Sequence, residues 1–258
     1  MLNYKTLNIL FFPVLAVLLV LNYFEVTGLL PYLILIALYL VVLIIGSARI
    51  QLNFYFTSLN SGATAKKEIA LTFDDGPHPE ITLKVLEILK KHEVKAAFFC
   101  IGRKIEQYPE ITAAAFKDGH IIGNHSYTHS PLFDLFLPAK MTGELNKTST
   151  IILHATGKKP LLFRPPFGVT NPWLKKALKK TELIPVGWSV RSLDTVKTAE
   201  KVLEKLKKEM HPGAVILLHD THEKIIPILD GILPWLKENG YWITGLDELL
   251  KIQVYEDN

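Results

Sequence analysis

From about residue 68 onward, short apolar segments alternate with helix-length segments, and this alternation constrains the fold more than any other feature. Strand-like segments occur at 69–73, 96–101, 120–123, 161–163, 184–190, 214–218 and 241–244. Amphipathic stretches follow at 81–92, 109–118, 171–180, 198–210 and 223–238. Parallel strands joined by helical crossovers produce this pattern. The sequence therefore predicts an α/β fold of about seven strand–helix units.

Polar and aromatic residues whose side chains could take part in catalysis or binding occur where these strands end. They are Asp74, Asp75, His125, His129, Arg164, Trp188, Asp194 and His219. An open sheet would spread such residues along an edge several strands wide, whereas a barrel gathers the strand ends into one ring. The distribution therefore favours a barrel over an open sheet.

The N-terminal 50 residues contain two uncharged runs of 18 residues, 7–24 and 29–46. At 1.5 Å per residue each would span about 27 Å as a helix, close to the thickness of bilayer hydrocarbon. The sequence predicts a transmembrane helical hairpin over 1–50, a junction over 51–67 and one domain over 68–258. A cleaved signal peptide is the alternative for the first run, but a second apolar run follows it immediately.

The charge balance excludes one class of partner. The formal net charge is +4, and the lysines outside the hairpin occur in short groups that are typical of solvated helix faces. A nucleic-acid-binding domain would need a basic stripe. We therefore expect no nucleic-acid partner.

Two adjacent carboxylates, Asp74 and Asp75, end the first apolar strand within Thr-Phe-Asp-Asp-Gly-Pro. Their mutual repulsion is costly unless a cation or strong donor compensates it. Consecutive side chains point in different directions, so one can bind a metal while the other faces a substrate. The alternative is an exposed Asp-Gly-Pro turn without chemistry.

His125 and His129 lie four residues apart, a spacing that places two imidazoles on one face of a helical turn. In a chain with nine histidines such a pair can be coincidental. With Asp75 the pair forms a two-histidine, one-carboxylate set, which leaves metal coordination positions open for water and substrate.

Arg164 opens the run Arg-Pro-Pro-Phe-Gly at a strand end, where we expect a buried carboxylate partner such as Asp74. Proline has no N–H group, so Phe167 supplies the first backbone donor after Arg164, and this donor could face a developing oxyanion. His219 ends the strand Val-Ile-Leu-Leu-His. A core histidine is the usual interpretation, but its position at a strand end favours an acid–base role.

The ordered motifs Thr-Phe-Asp-Asp-Gly-Pro, His-Ser-x-x-His, Arg-Pro-Pro-Phe-Gly and Leu-Leu-His-Asp resemble those of the polysaccharide deacetylase family with its NodB homology domain. The resemblance covers roughly residues 68–250. It implies a distorted (β/α) barrel that hydrolyses N-acetyl groups on chitin, peptidoglycan or related glycans with a divalent metal, for which zinc is the expectation.

The resemblance also implies roles for individual residues. Asp75, His125 and His129 match the metal ligands, Asp74 matches the catalytic base, and His219 matches the catalytic acid. Arg164 matches the arginine that orients the base. The Phe167 N–H matches an oxyanion donor, and Trp188 is a candidate substrate contact.

The run Trp188-Ser-Val-Arg-Ser-Leu-Asp-Thr195 departs from the family pattern of two aspartates three apart followed by tryptophan. Arg191 replaces the first aspartate, which leaves Asp194 or Asp220 to support His219. Arg191 either turns away from the site or serves a charged substrate group.

Three functions are therefore open. The first is N-deacetylation of a glycan that contains N-acetylglucosamine, at a membrane. The second is deacylation or deformylation of a lipid-linked amino sugar, and the third is an inactive sugar-binding membrane protein. Lys5 and Arg49 flank the hairpin and favour a cytoplasmic domain, but the expected glycans lie mostly outside the cell, so the membrane side is open.

Overall fold

The computed structural model describes residues 2–257, which form an α/β domain preceded by two long helices. The strands are β1 (Glu68–Asp74), β2 (Ala96–Cys100), β3 (Ile121–Asn124), β4 (Leu162–Phe163), β5 (Ile184–Pro185), β6 (Val190–Arg191), β7 (Val215–His219) and β8 (Trp242–Ile243). The helices are α1 (Tyr4–Tyr23), α2 (Leu30–Ala48), α3 (Ile81–Lys91), α4 (Gly102–Gln107), α5 (Pro109–Lys117), α6 (Pro138–Thr156), α7 (Pro172–Thr181), α8 (Ala199–Glu209), α9 (Ile225–Glu238) and α10 (Leu246–Leu250).

The strands form one curled sheet in the order β5-β4-β3-β2-β1-β7-β6, and β8 pairs with the start of β1. Every pair in it is parallel. The carboxyl ends of the strands therefore converge at one mouth, as in a barrel. This confirms the predicted distorted barrel.

The alternation of side chains along β1 divides the core into two layers. Ile69, Leu71 and Phe73 pack in the cluster that includes the surrounding helices, whereas Ala70 packs with inward-facing residues of neighbouring strands. Successive side chains of a strand point to opposite faces. Asp74 shares the inward parity of Ala70 and therefore lies inside the barrel at its mouth.

The segment between β5 and β6 differs from the prediction. One strand was expected over 184–190, but two short strands flank an irregular segment there. Leu59 takes the place of a strand partner, since its N–H donates to the Pro185 carbonyl at 3.0 Å and its carbonyl accepts from the Gly187 N–H at 2.9 Å. The gap between the two edge strands is thus filled by a residue from the N-terminal junction.

Three helices of the domain were not predicted, α6 and the short α4 and α10. The α6 sequence contains four threonines together with Ser149 and Asn146, which weakens its apolar periodicity. Its buried residues Met141, Leu145, Thr148 and Ile152 nevertheless recur at helical spacing. Because polar residues such as Thr148 occupy part of this buried face, the sequence pattern did not indicate a helix.

The two apolar N-terminal helices, α1 and α2, are long enough to cross a membrane, with mean hydropathies of 2.0 and 2.5 over their most apolar windows. Their ends dock on the barrel. The Thr170 N–H donates to the Ser47 carbonyl at 2.9 Å, and the Tyr4 N–H donates to the Phe54 carbonyl at 2.9 Å. A Cβ on Gly46 would lie 2.4 Å from the Phe54 ring, so only glycine allows this close approach.

Candidate active site

Asp74 and Arg164 form a buried ion pair at the mouth of the barrel. The Arg164 Nη1 donates to Asp74 Oδ1 at 2.7 Å and to Thr72 Oγ1 at 2.8 Å. Its Nε and Nη2 donate to the carbonyls of Val186 at 3.3 Å and Gly187 at 2.7 Å. The guanidinium is fully buried, so this network fixes the Asp74 carboxylate as the sequence led us to expect.

Asp75, His125 and His129 converge on one point. Asp75 Oδ1 lies 3.4 Å from His125 Nε2 and 3.2 Å from His129 Nε2, and one ligand atom from each residue lies within 4.8 Å of the others. The His125 Nδ1 donates to the Arg164 carbonyl at 2.7 Å, which leaves Nε2 with its lone pair toward the cluster. Within the described residues, Asp75 Oδ1 is buried without a hydrogen-bond partner. A divalent ion fits this donor set.

The backbone that brings the two histidines together is not the helical turn that we predicted. Ser126 and His129 have positive φ angles of 60° and 48°, and the segment forms a loop. The Ser126 Oγ accepts from the His129 N–H at 3.1 Å and holds the loop closed. The imidazoles converge, but through loop geometry. Asp75 also has a left-handed backbone, with φ 73°, and its Oδ1 and the Asp74 Oδ2 lie 3.4 and 3.8 Å from the same His125 Nε2.

Asp75 remains ionised in this cluster. Burial raises the pKa of its carboxyl, but the neighbouring imidazoles of His125, His129 and His219 lower it by more, and the net pKa lies well below the usual value. A carboxylate in this state is a ready ligand for a cation.

His219 lies on the strand adjacent to Asp74, with the two residues in register between β1 and β7. Its Nδ1 is 2.8 Å from Asp194 Oδ1, and its backbone N–H donates to Asp194 Oδ2 at 2.8 Å. Burial lowers the pKa of His219, but the hydrogen bond to Asp194 raises it, and the net direction is upward. Asp194 is therefore the acid that contacts His219.

Sequence reasoning did not single out His222. Its Nε2 lies 3.5 Å from Asp194 Oδ2, and burial raises the pKa of Asp194, but the hydrogen bond to His219 and the nearby His222 ring lower it by more, so that the net pKa lies well below the usual value. The short spacing in His-Asp-Thr-His was the available signal. Asp220 faces elsewhere, since its Oδ2 accepts from Thr82 Oγ1 at 2.6 Å, and burial raises its pKa to about 6.

A cavity of about 180 Å³ is lined by Asp74, Asp75, His125, His129 and His219. Phe167, Trp188 and Arg191 also line it. Phe167 has a left-handed φ of 58°, and its ring packs edge-on against His129 with centroids 4.8 Å apart. A groove of about 360 Å³ adjoins the cavity at His129 and contains Arg103, Lys140 and Glu144. The cavity and groove together could hold a sugar and its neighbours.

Comparison with known proteins supports this fold. Residues 61–186 match the family model described as polysaccharide deacetylase. The structure matches that of the Bc1960 peptidoglycan N-acetylglucosamine deacetylase with a TM-score of 0.71 and 34% identity, over 76% of this chain and 94% of that one. The chain belongs to the polysaccharide deacetylase family.

Other relatives of this family member differ in length or activity. The peptidoglycan-N-acetylglucosamine deacetylase PgdA of Listeria monocytogenes is 35% identical over 74% of this chain, which spans only 41% of that relative's length. The chain also resembles BA3943, described as a CE4 family pseudoenzyme from Bacillus anthracis, with a TM-score of 0.70 and 31% identity over 75% of this chain and 68% of that one. Family membership alone therefore does not establish turnover.

Proposed function

We propose that this polysaccharide deacetylase is a metal-dependent hydrolase that removes N-acetyl groups from a glycan containing N-acetylglucosamine at a membrane. The observation that carries the proposal is the convergence in one cavity of a metal-type triad with Asp74 on one side and His219 on the other. Water and the acetamide would be converted into acetate and a free amine.

Asp74 is placed to act as the base. Its Oδ1 is occupied by Arg164, and the other oxygen, Oδ2, lies 3.8 Å from His125 Nε2 at the edge of the triad. A carboxylate fixed on one oxygen presents the other in a defined direction, so Oδ2 can accept the proton of the attacking water.

His219 is placed to act as the acid. Its Nδ1 is held by Asp194, and its Nε2 points toward the triad, 3.9 Å from Asp75 Oδ2. The raised pKa keeps the ring protonated at a pH where a free imidazole would be neutral. Nε2 can therefore give a proton to the departing amine while Asp194 stabilises the charged ring.

Asp75, His125 and His129 would hold the divalent ion, for which we propose zinc. When bound, such an ion polarises the amide carbonyl and lowers the pKa of water. Two imidazoles and one carboxylate are ligands that zinc accepts, and the set leaves room for water and substrate.

Phe167 and Trp188 would contact the acetamide and the sugar. The Phe167 N–H is proposed as the oxyanion donor, and the left-handed backbone of this residue is paired with Gly168, whose φ is 71°. A Cβ on Gly168 would lie 2.3 Å from the Trp188 ring, so glycine allows the loop to rest directly on that ring. The Phe167–Gly168 loop therefore packs directly on the Trp188 ring and covers it.

We also propose that α1 and α2 cross the membrane as a hairpin. Only 6% of each helix's most apolar window is buried within the protein, so their apolar surface needs another partner. Extraction of the full-length protein by alkaline carbonate without detergent would contradict this. Protease access to a C-terminal tag in intact spheroplasts would show on which side the domain lies.

The contact between the hairpin and the Phe167 loop favours a second candidate, deacylation or deformylation of a lipid-linked amino sugar. Thr170 donates to the carbonyls of Ser47 and Gly46 in the last turn of α2, three residues after Phe167. The cavity rim and the end of a proposed membrane helix are therefore neighbours.

The test is the release of acetate and formate from a panel of chitin oligomers, peptidoglycan fragments and lipid-linked amino sugars. The full-length protein is loaded with zinc, and Asp74→Asn is the matched control because it keeps the size and hydrogen-bond acceptor of the base. We expect the variant to lose about two to four orders of magnitude in turnover. Equal release by both proteins would refute Asp74 as the base. Tight glycan binding without release by either would favour the sugar-binding function.

A further inference from the structure

Four large apolar side chains are exposed on the segments that follow His129 and Phe167, and we call them the loop patch. Leu132, Leu135 and Leu137 are 59%, 69% and 64% exposed, and Trp173 is 40% exposed. The three leucines lie within the segment that follows His129, and Trp173 is the second residue of α7, the helix that follows Phe167. The patch thus belongs to the two loops that also line the active site.

The leucines are presented by an ordered turn. Phe133, between two of them, is fully buried and packs with Met141 and Leu145 of α6. The turn is closed by hydrogen bonds from the Phe133 N–H to Ser130 and from the Leu135 N–H to the Leu132 carbonyl. An anchored backbone that points leucines outward is a built apolar surface, which usually marks an interaction site.

The loop patch is continuous with the ends of the hairpin. Asn171 Nδ2 donates to the Asp134 carbonyl at 2.9 Å, which links the leucine-bearing segment 130–137 to the segment before Trp173. Thr170, the preceding residue, is bonded to Ser47 at the end of α2. Phe56 packs against the cluster of Leu7, Phe54 and Tyr55 at the hairpin and also against the cluster that contains Phe133.

The helix that carries Trp173 also has the charge that suits a lipid surface. Its buried face contains Leu174, Ala177 and Leu178. Its exposed face carries Lys175, Lys176, Lys179 and Lys180. Tryptophan is enriched at the membrane interface, and lysines near the surface are attracted to anionic headgroups.

We propose that the loop patch inserts into the interface of the same bilayer that holds α1 and α2. The proposal rests on the membrane-spanning hairpin proposed above. It places His129 and Phe167 beside the lipid headgroups, so the cavity serves amino sugars within reach of the membrane surface. The partner is therefore the lipid bilayer itself, and the substrate class is membrane-proximal or lipid-linked glycan.

The test measures the depth of single fluorescent labels. Cys100 is the only cysteine, so a Cys100→Ala background allows one new cysteine at a time. Leu135→Cys reports the loop patch. Leu38→Cys, in the middle of α2 and 60% exposed, is the embedded control. Trp242→Cys, 73% exposed on a strand that pairs with the opposite end of β1, is the aqueous control.

Each variant of the full-length protein carries a bimane label in vesicles of phosphatidylcholine and phosphatidylglycerol. Nitroxide-labelled lipid and aqueous iodide serve as the two quenchers. We expect the label at 135 to be quenched by the lipid nitroxide and protected from iodide, with emission shifted to shorter wavelength relative to the label at 242. This readout needs no turnover.

The outcomes separate the inference from the hairpin proposal. If the label at 135 behaves like that at 242 while the label at 38 lies in lipid, the loop patch proposal fails and the hairpin stands. If all three labels are aqueous, both fail. Protection of the label at 135 from both quenchers would mean that protein covers the patch, which also overturns the proposal.

Discussion

Replacing Arg164 by methionine should destabilise the barrel strongly, because Arg164 supports both the active site and the gap between β5 and β6. Its guanidinium is fully buried and donates to Asp74, to Thr72 and to the carbonyls of Val186 and Gly187. Methionine fills similar space without any donor. Asp74 would then keep a buried charge with no cation beside it.

The expected size follows from these contacts. Removing one partner of a buried ion pair costs about 3–5 kcal/mol. Each buried acceptor left without a donor costs about 1–3 kcal/mol more, although water that enters through the gap can recover part of this. We therefore expect a loss of at least about 4 kcal/mol, a large fraction of the 5–15 kcal/mol that is typical of a domain.

The assay is urea unfolding of the full-length protein in detergent, followed by tryptophan fluorescence. Trp188 is a suitable reporter because its ring lies 5.7 Å from the guanidinium carbon of Arg164. The double variant Arg164→Met with Asp74→Leu is the matched control, since it removes the uncompensated charge, and it should be more stable than Arg164→Met alone. A free energy of unfolding for Arg164→Met within about 1 kcal/mol of the original protein would refute this account of the network.

Three further predictions concern the chemistry of the site. His125→Ala should remove bound zinc, measured by elemental analysis, while circular dichroism stays close to that of the original protein; full occupancy in the variant would exclude the triad as the metal site. Asp194→Asn should lower the pKa of His219, and because the acid form is lost as pH rises through this pKa, the alkaline limb of kcat should move to lower pH. A hydrogen bond to a charged group is worth about 1.5–3 kcal/mol, which corresponds to about one to two pH units; Asp220→Asn, which does not contact the His219 ring, should leave the limb in place. Arg191→Asp should reduce activity on glycans with a phosphate or carboxylate but spare neutral chitin oligomers, since Arg191 lines the cavity; equal loss on both would make Arg191 structural.

The sequence predicted the barrel because its central strands are recognisable from their apolar residues alone. β1, β2 and β7 are apolar runs, the chemistry-bearing residues of β1 and β7 lie at their carboxyl ends, and the structure places them there. The run 184–190 has the same apolar character, yet it does not form one strand. Within it, Val186 pairs with Leu59, and the carbonyls of Val186 and Gly187 accept hydrogen bonds from Arg164. These partners are distant in the chain, so no local pattern could reveal the break.

The geometry of the site could also be predicted only in part from the sequence. The spacing of His125 and His129 identified the correct pair, but the positive φ angles that bring the rings together depend on the packing of the loop. The choice between Asp194 and Asp220 depended on which carboxylate reaches His219, and only the three-dimensional contacts decide it. His222 was missed because its partner is contributed by another loop.

The use of Leu59 to fill the gap in the barrel has a consequence for biosynthesis. The hairpin and Leu59 are synthesised first, but Leu59 pairs with Val186, and Ser61 pairs with Ala214 near the end of the chain. The hairpin can enter the membrane long before these partners leave the ribosome. With the hairpin inserted as proposed, the barrel would complete its sheet while one of its own edges is already tethered to the lipid surface, so membrane insertion would precede and confine the folding of the domain.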